Sequence, residues 1–244
     1  MAGEESDVGG EMQSIGIAEA RSALGWWLEA GVDVAVQEDA RNWLQPSPPK
    51  APPSEPQPEP NVTQPSHETL VELREWLASS AHLPLASVAA KRILPRGPED
   101  APIMLLSDAP SLEDYAAGQP IGGEAWDLAA RMLAAIGLTT EQAYVASLSP
   151  IHAPGSRLGE SDRKSYAEIA RRHVLLARPK RLLLLGDGPS QALLGKRLVD
   201  ARGHVHKVEG IRTVATFHPR HLIKRTLDKR LAWQDLLLLM EDES

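Results

Sequence analysis

Four short apolar runs, Pro102–Leu106, Ala143–Leu148, Arg181–Leu185 and Thr213–Thr216, alternate with segments whose apolar residues recur at helical spacing. Strand-sized runs alternating with helices are the pattern of parallel strands joined by crossovers, with both sheet faces covered. The spacing therefore predicts an α/β domain: three layers, α/β/α, around a central, mainly parallel four-stranded sheet. The expected helices are Ser66–Ala81, capped by Ser66, then Glu124–Gly137, Ser161–Ala177, one beginning at Pro189, and a terminal helix over Leu222–Glu241. Ligands of such sheets bind beyond the C-terminal strand ends. Four loops are thereby singled out, 107–123, 149–159, 186–190 and 218–225.

A tract before this pattern sets the domain limits. Residues 46–65 contain nine prolines, which fix φ and lack an amide donor, so neither helix nor sheet is open to them. They read as a linker between a helical arm, 1–45, and a main domain, 66–244. The arm carries Trp26, Trp27 and Trp43 with few residues to cover them, and is expected to pack them on the main domain or on a protein partner met through 15–44. Charge divides at the same place. Residues 1–65 hold 3 basic and 11 acidic side chains, whereas Arg202–Arg230 holds 8 basic and 2 acidic ones with four histidines. That stretch is either a phosphate-facing surface or a solvated basic face.

Cysteine is absent, so disulfides, thiolate metal sites and cysteine nucleophiles are excluded. No apolar run approaches membrane-spanning length, and Met-Ala-Gly-Glu-Glu-Ser-Asp does not open like a secretory signal. A cytoplasmic location is expected, with no metal and no cofactor.

Each loop offers a chemistry and a plainer alternative. Asp108, ending the first strand, suits water activation or stabilisation of a cation, or else an Asx-turn or helix cap. Ser147 could offer a hydroxyl to a ligand. Gly186-Asp187-Gly188-Pro189-Ser190 either cradles a phosphate or makes a tight structural turn, and it lacks dinucleotide and Walker patterns. His218-Pro219, at the end of the last strand, supplies a hydrogen-bond donor. The leucine that follows and the basic pair Lys224-Arg225 suit a base-stack wedge flanked by phosphate contacts, or a buried helix start with a solvated basic face.

Taken in order, these stretches resemble the uracil-DNA glycosylase superfamily over residues ~70–240, nearest its family 4 type. The resemblance rests on Ser107-Asp108-Ala109-Pro110-Ser111 with Glu113-Asp114…Gly118-Gln119-Pro120-Ile121-Gly122-Gly123, on Ser147…Pro154-Gly155-Ser156-Arg157, on Pro179-Lys180…Leu185-Gly186, and on Thr216-Phe217-His218-Pro219-Arg220-His221-Leu222-Ile223-Lys224. It implies cleavage of the N-glycosidic bond of a flipped base. It implies Asp108 and His218 as catalytic residues, one handling water or the sugar cation and the other the uracil anion. Ala109, Pro110, Ile121 and Ser147 would meet the base, with amides near Ala109 and Ser111 assisting. Arg157, Arg220, Leu222, Lys224 and Arg225 would meet DNA, with Leu222 as wedge. The implied partner is single-stranded or damaged DNA.

The departures from the family pattern are specific. Ile121 stands where an aromatic stacks the uracil, and Ser147 where an asparagine reads its edge. Ser80, Leu83, Ile151 and Tyr166 fall where the family's cluster cysteines lie, and the last three are expected to form a small apolar cluster instead. Three functions stay open: an active glycosylase of weakened or altered base choice, a glycosylase fold that binds DNA or a repair partner without cutting, and a fold reused for another ligand.

Overall fold

The computed structural model describes residues 67–84, 86, 91–151 and 160–241. All lie in Pro58–Ser244, one of two units into which the chain divides. The arm, the proline tract, Ser66, His152 and Arg157 fall outside the described residues.

Helix α1 (Leu70–Ser79) leads into β1 (Ile103–Ser107), α2 (Leu112–Ala117), α3 (Gly123–Ala135), β2 (Ala143–Ser147), α4 (Glu160–Ala177), β3 (Arg181–Leu185), α5 (Asp187–Leu194), α6 (Leu198–Ala201), β4 (His206–Val208), β5 (Ile211–Thr216), α7 (Pro219–Lys224) and α8 (Lys229–Met240). The sheet order is β2-β1-β3-β5-β4. The four expected strands are present and mutually parallel. The unexpected β4 pairs antiparallel with β5. Its cause is the two-residue turn Glu209-Gly210, with φ of 50° and 81°, the left-handed pair that a tight hairpin requires.

Alternation along the strands builds two cores. Met104, Leu106, Tyr144, Ala146, Leu182, Leu184 and Ala215 face one way, with Leu73 of α1, Ile169 and Val174 of α4, Leu193 of α5 and Leu198 of α6. Ile103, Leu105, Val145, Leu183, Leu185 and Val214 face the other way, with Ala125 and Leu133 of α3 and Leu236 and Leu239 of α8. The three-layer α/β/α expectation holds, with a fifth strand added.

Two helix limits differ from expectation. The cap of α1 is Thr69, whose hydroxyl accepts from the Glu72 amide while the Glu72 carboxylate accepts from the Thr69 amide. The terminal helix is two helices, α7 and α8, joined by a 3₁₀ turn at Thr226–Asp228, because Arg225 leaves helical geometry at φ −125°, ψ 80°.

Leu83, Ile151 and Tyr166 are buried in one core cluster, as the sequence suggested. The Tyr166 hydroxyl donates to the Pro84 carbonyl at 2.7 Å, and Arg92 donates to the carbonyls of Leu77 and Ser80 at 2.8 and 2.6 Å. A serine, a leucine, an isoleucine and a tyrosine supply no thiolate for an iron–sulfur cluster, so the donor set does not fit that group.

Candidate active site

The β1–β2 crossover runs to one side of β1, and the β2–β3 crossover returns across it to the other side. Beyond the C-terminal ends of these strands the sheet opens a crevice. Four strand ends meet there: Ser107-Asp108, Ser147, Gly186 and Phe217-His218.

Asp108 is exposed at the crevice mouth, and its Oδ1 accepts from the Ala109 amide at 2.9 Å. The nearby protein still strips water from the carboxylate, and this desolvation raises its pKa above the usual value. The Asp187 charge raises it further, while the Ala109 hydrogen bond and the charges of Arg163 and Arg220 oppose. Asp108 lies directly over Gly188 in the first turn of α5. A Cβ at 188 would sit 2.5 Å from the carboxylate carbon and from both its oxygens. The chain turns tightly at Gly186, φ +100°, and enters α5 at once, and the Asp187 carboxylate accepts from the Leu198 amide at 2.7 Å. Two carboxylates at the head of α5 repel an anion, which disfavours a phosphate cradle.

His218 caps α7. Its Nδ1 accepts from the Arg220 amide at 3.1 Å, so the proton of the neutral ring sits on Nε2 as a donor. Burial, followed by the Arg220 charge, pushes its pKa down to about 4, with Asp114 opposing. At neutral pH this imidazole donates without carrying charge.

Two buried carboxylates, neither of them picked out as a site residue by sequence reasoning, hold this end of the site. Asp114, 1% exposed, accepts from the Ser111 amide and hydroxyl, from the Gly122 amide at 2.6 Å and from Arg220 Nη2 at 2.5 Å. It thus ties the first loop, the start of α3 and α7 together. Its sequence signal is the capping pattern Ser111-x-x-Asp114. Asp235 of α8, fully buried, accepts from Thr216 Oγ1 at 2.8 Å, from Arg202 and from the Gly203 amide, fixing the end of β5 two residues before His218. An acid among Leu236, Leu237 and Leu239 was its signal.

The remaining expected site residues are distributed unevenly. Ser147 is half-buried, and its hydroxyl accepts from Ser107 at 3.3 Å. Pro110 is buried, and the Ala109 and Ser111 amides already have carboxylate partners. Ile121 is fully buried against the α3-side core and presents no face to a base. Leu222, 1% exposed, packs with Leu128 and Ala232, not at a surface where a base stack could meet it, because α7 turns that face inward. Arg220 is committed to Asp114, and its Nε is buried with no hydrogen-bond partner among the described residues. Arg202 and Arg212 likewise serve protein carbonyls or Asp235. Lys224, Arg225, Lys229 and Arg230 are exposed. No described helix is long and apolar enough to cross a membrane.

A Type-4 uracil-DNA glycosylase of Archaeoglobus fulgidus is 25% identical over 140 residues, which cover 53% of this chain and 70% of that protein. The family model for the uracil DNA glycosylase superfamily matches residues 94–237, from just before β1 into α8, and so takes in Asp108, Asp114 and His218. The chain therefore belongs to the uracil DNA glycosylase superfamily.

Proposed function

We propose that this protein is a cytoplasmic DNA-repair N-glycosylase that hydrolyses the bond between deoxyribose and a flipped uracil or other damaged base, with base choice altered from the family pattern. The observation that carries this reading is the pairing of opposite preparations in one crevice. Asp108 offers a carboxylate, and His218 offers a neutral Nε2–H donor.

As the C1′–N bond breaks, its electron pair leaves with the base, which becomes an anion, and the sugar becomes cationic. His218 Nε2–H donates to the base oxygen that gathers charge. The Arg220 guanidinium, held by Asp114, adds a fixed positive charge on the same side. Asp108 opposes the sugar cation and orients the water whose oxygen bonds to C1′, and the water's proton is released toward the carboxylate. Family membership supports DNA as the partner, and the exposed cations Lys224, Arg225, Lys229 and Arg230 suit phosphates. A second reading, binding without cleavage, is favoured by Ile121, which leaves no base-stacking face, and by Ser147, whose hydroxyl lacks the paired donor and acceptor of an asparagine amide.

The deciding experiment incubates the full chain with single-stranded and duplex oligonucleotides holding uracil, hypoxanthine or an oxidised base, then reveals abasic sites with alkali. Cleavage that falls about 10²–10⁴-fold in both Asp108→Ala and His218→Ala is the expected result. Wild-type protein that binds these strands and leaves every base in place would establish the second reading.

A further inference from the structure

The position aligned with a wedge, Leu222, is in the core, but another leucine is not. Leu227 is 90% exposed, the most exposed large apolar side chain among the described residues. A single exposed leucine is ordinary on a protein surface. This one differs in how it is presented. It sits at the centre of the 3₁₀ turn between α7 and α8, with Lys224 and Arg225 before it and Lys229 and Arg230 after it, all four exposed.

The turn is pinned from below. His221 Nε2 and Asp228 Oδ2 meet at 2.6 Å across it, and the Asp228 amide donates to the Arg225 carbonyl at 3.2 Å. The His221 ring stacks on Phe217, with centroids 4.8 Å apart and planes 11° from parallel, and Arg202 lies over the same Phe217 ring. The mount therefore begins next to His218, and α7, six residues or roughly 9 Å long, separates it from that histidine. An exposed leucine forgoes the stabilisation that burial of its side chain would bring. A gap left in a base stack is an apolar slot that returns it, and cations on either side place the flanking phosphates.

We infer that Leu227, rather than Leu222, is the side chain that enters the duplex and fills the place of the extruded nucleotide. This rests on the reading of the protein as one that acts on DNA. Duplex specificity then comes from Leu227, whereas the surrounding cations serve single and double strands alike.

The test uses the full chain and a duplex carrying a tetrahydrofuran abasic analogue beside 2-aminopurine, with the same strand alone as reference. Wild-type protein is expected to bind both and to raise 2-aminopurine fluorescence in the duplex. Leu227→Ala is expected to lower the duplex-to-single-strand affinity ratio at least tenfold and to abolish the fluorescence rise, with Leu227→Met restoring both. Lys224→Ala with Arg225→Ala is expected to weaken both strands together. A Leu227→Ala protein with the wild-type ratio and fluorescence would overturn the assignment while leaving DNA binding intact. Wild-type protein that binds neither strand would overturn the DNA reading and the wedge with it.

Discussion

The two ends of the crevice are built differently. Asp108 stands at the open end, held by one hydrogen bond from its neighbour's amide and resting on a glycine. His218 stands at the closed end, its ring fixed by the helix it caps. Its strand is held by Asp235 and its helix by Asp114 through Arg220. The difference shows two ways of preparing a group for chemistry. At the closed end the surroundings dictate a single tautomer and charge. At the open end they leave a carboxylate free to reorient toward a substrate and shift only its readiness to ionise.

Removing a brace should hurt the closed end most. Asp114→Ala strands the Arg220 guanidinium, the Ser111 amide and the Gly122 amide, and is expected to cost about 3–5 kcal/mol of stability, read by urea unfolding. A variant as stable as wild type would mean that Asp114 is not the brace described. Crowding the open end should act on chemistry alone. Gly188→Ala puts a methyl group where the Asp108 carboxylate rests, and that carboxylate can swing aside. Unfolding is expected to change little, while excision falls on the order of 10–100-fold through misplacement of the acid. Equal losses of stability and activity would erase the distinction between the ends.

Acidification tests the same contrast most gently. His218 is held at about 4, and His173, buried and hydrogen-bonded to the Tyr144 hydroxyl, at about 3, against an ordinary 6.5. Below about pH 6.5 the unfolded chain takes up protons that the folded chain refuses. The stability these rings contribute is complete above that value and is lost as pH falls toward 4. Thermal melting across this range should show the fall, and His173→Gln should flatten the slope. A pH-independent melting temperature would contradict the account. Asp108, with its pKa raised, adds an acidic limb to activity that Asp108→Asn removes.

Much of this was legible in the chain. Short apolar runs marked the four parallel strands, and the polar residue that ends a strand pointed to Asp108 and His218. What escaped depended on contacts that no local pattern carries. Asp114 meets Arg220 across 106 residues, and neither position announces the other. The break between α7 and α8 has no glycine or proline to mark it, and Leu222 and Ile223 continue an apolar spacing that the backbone abandons at Arg225. Strand β4 is three residues with a histidine and a lysine, and only the turn beside it accounts for it.

That turn has a consequence for how the molecule assembles. Every other neighbouring pair in the sheet is parallel and must wait for a distant segment to return. The link from β1 to β2, for instance, spans roughly 35 residues, and closing a loop of that size costs about 2–3 kcal/mol more chain entropy than closing a two-residue one. The β4–β5 hairpin needs only Glu209 and Gly210. By chain entropy alone, the strand that delivers His218 is the part of the sheet that can form before the rest, a local nucleus in a fold otherwise made of long-range contacts.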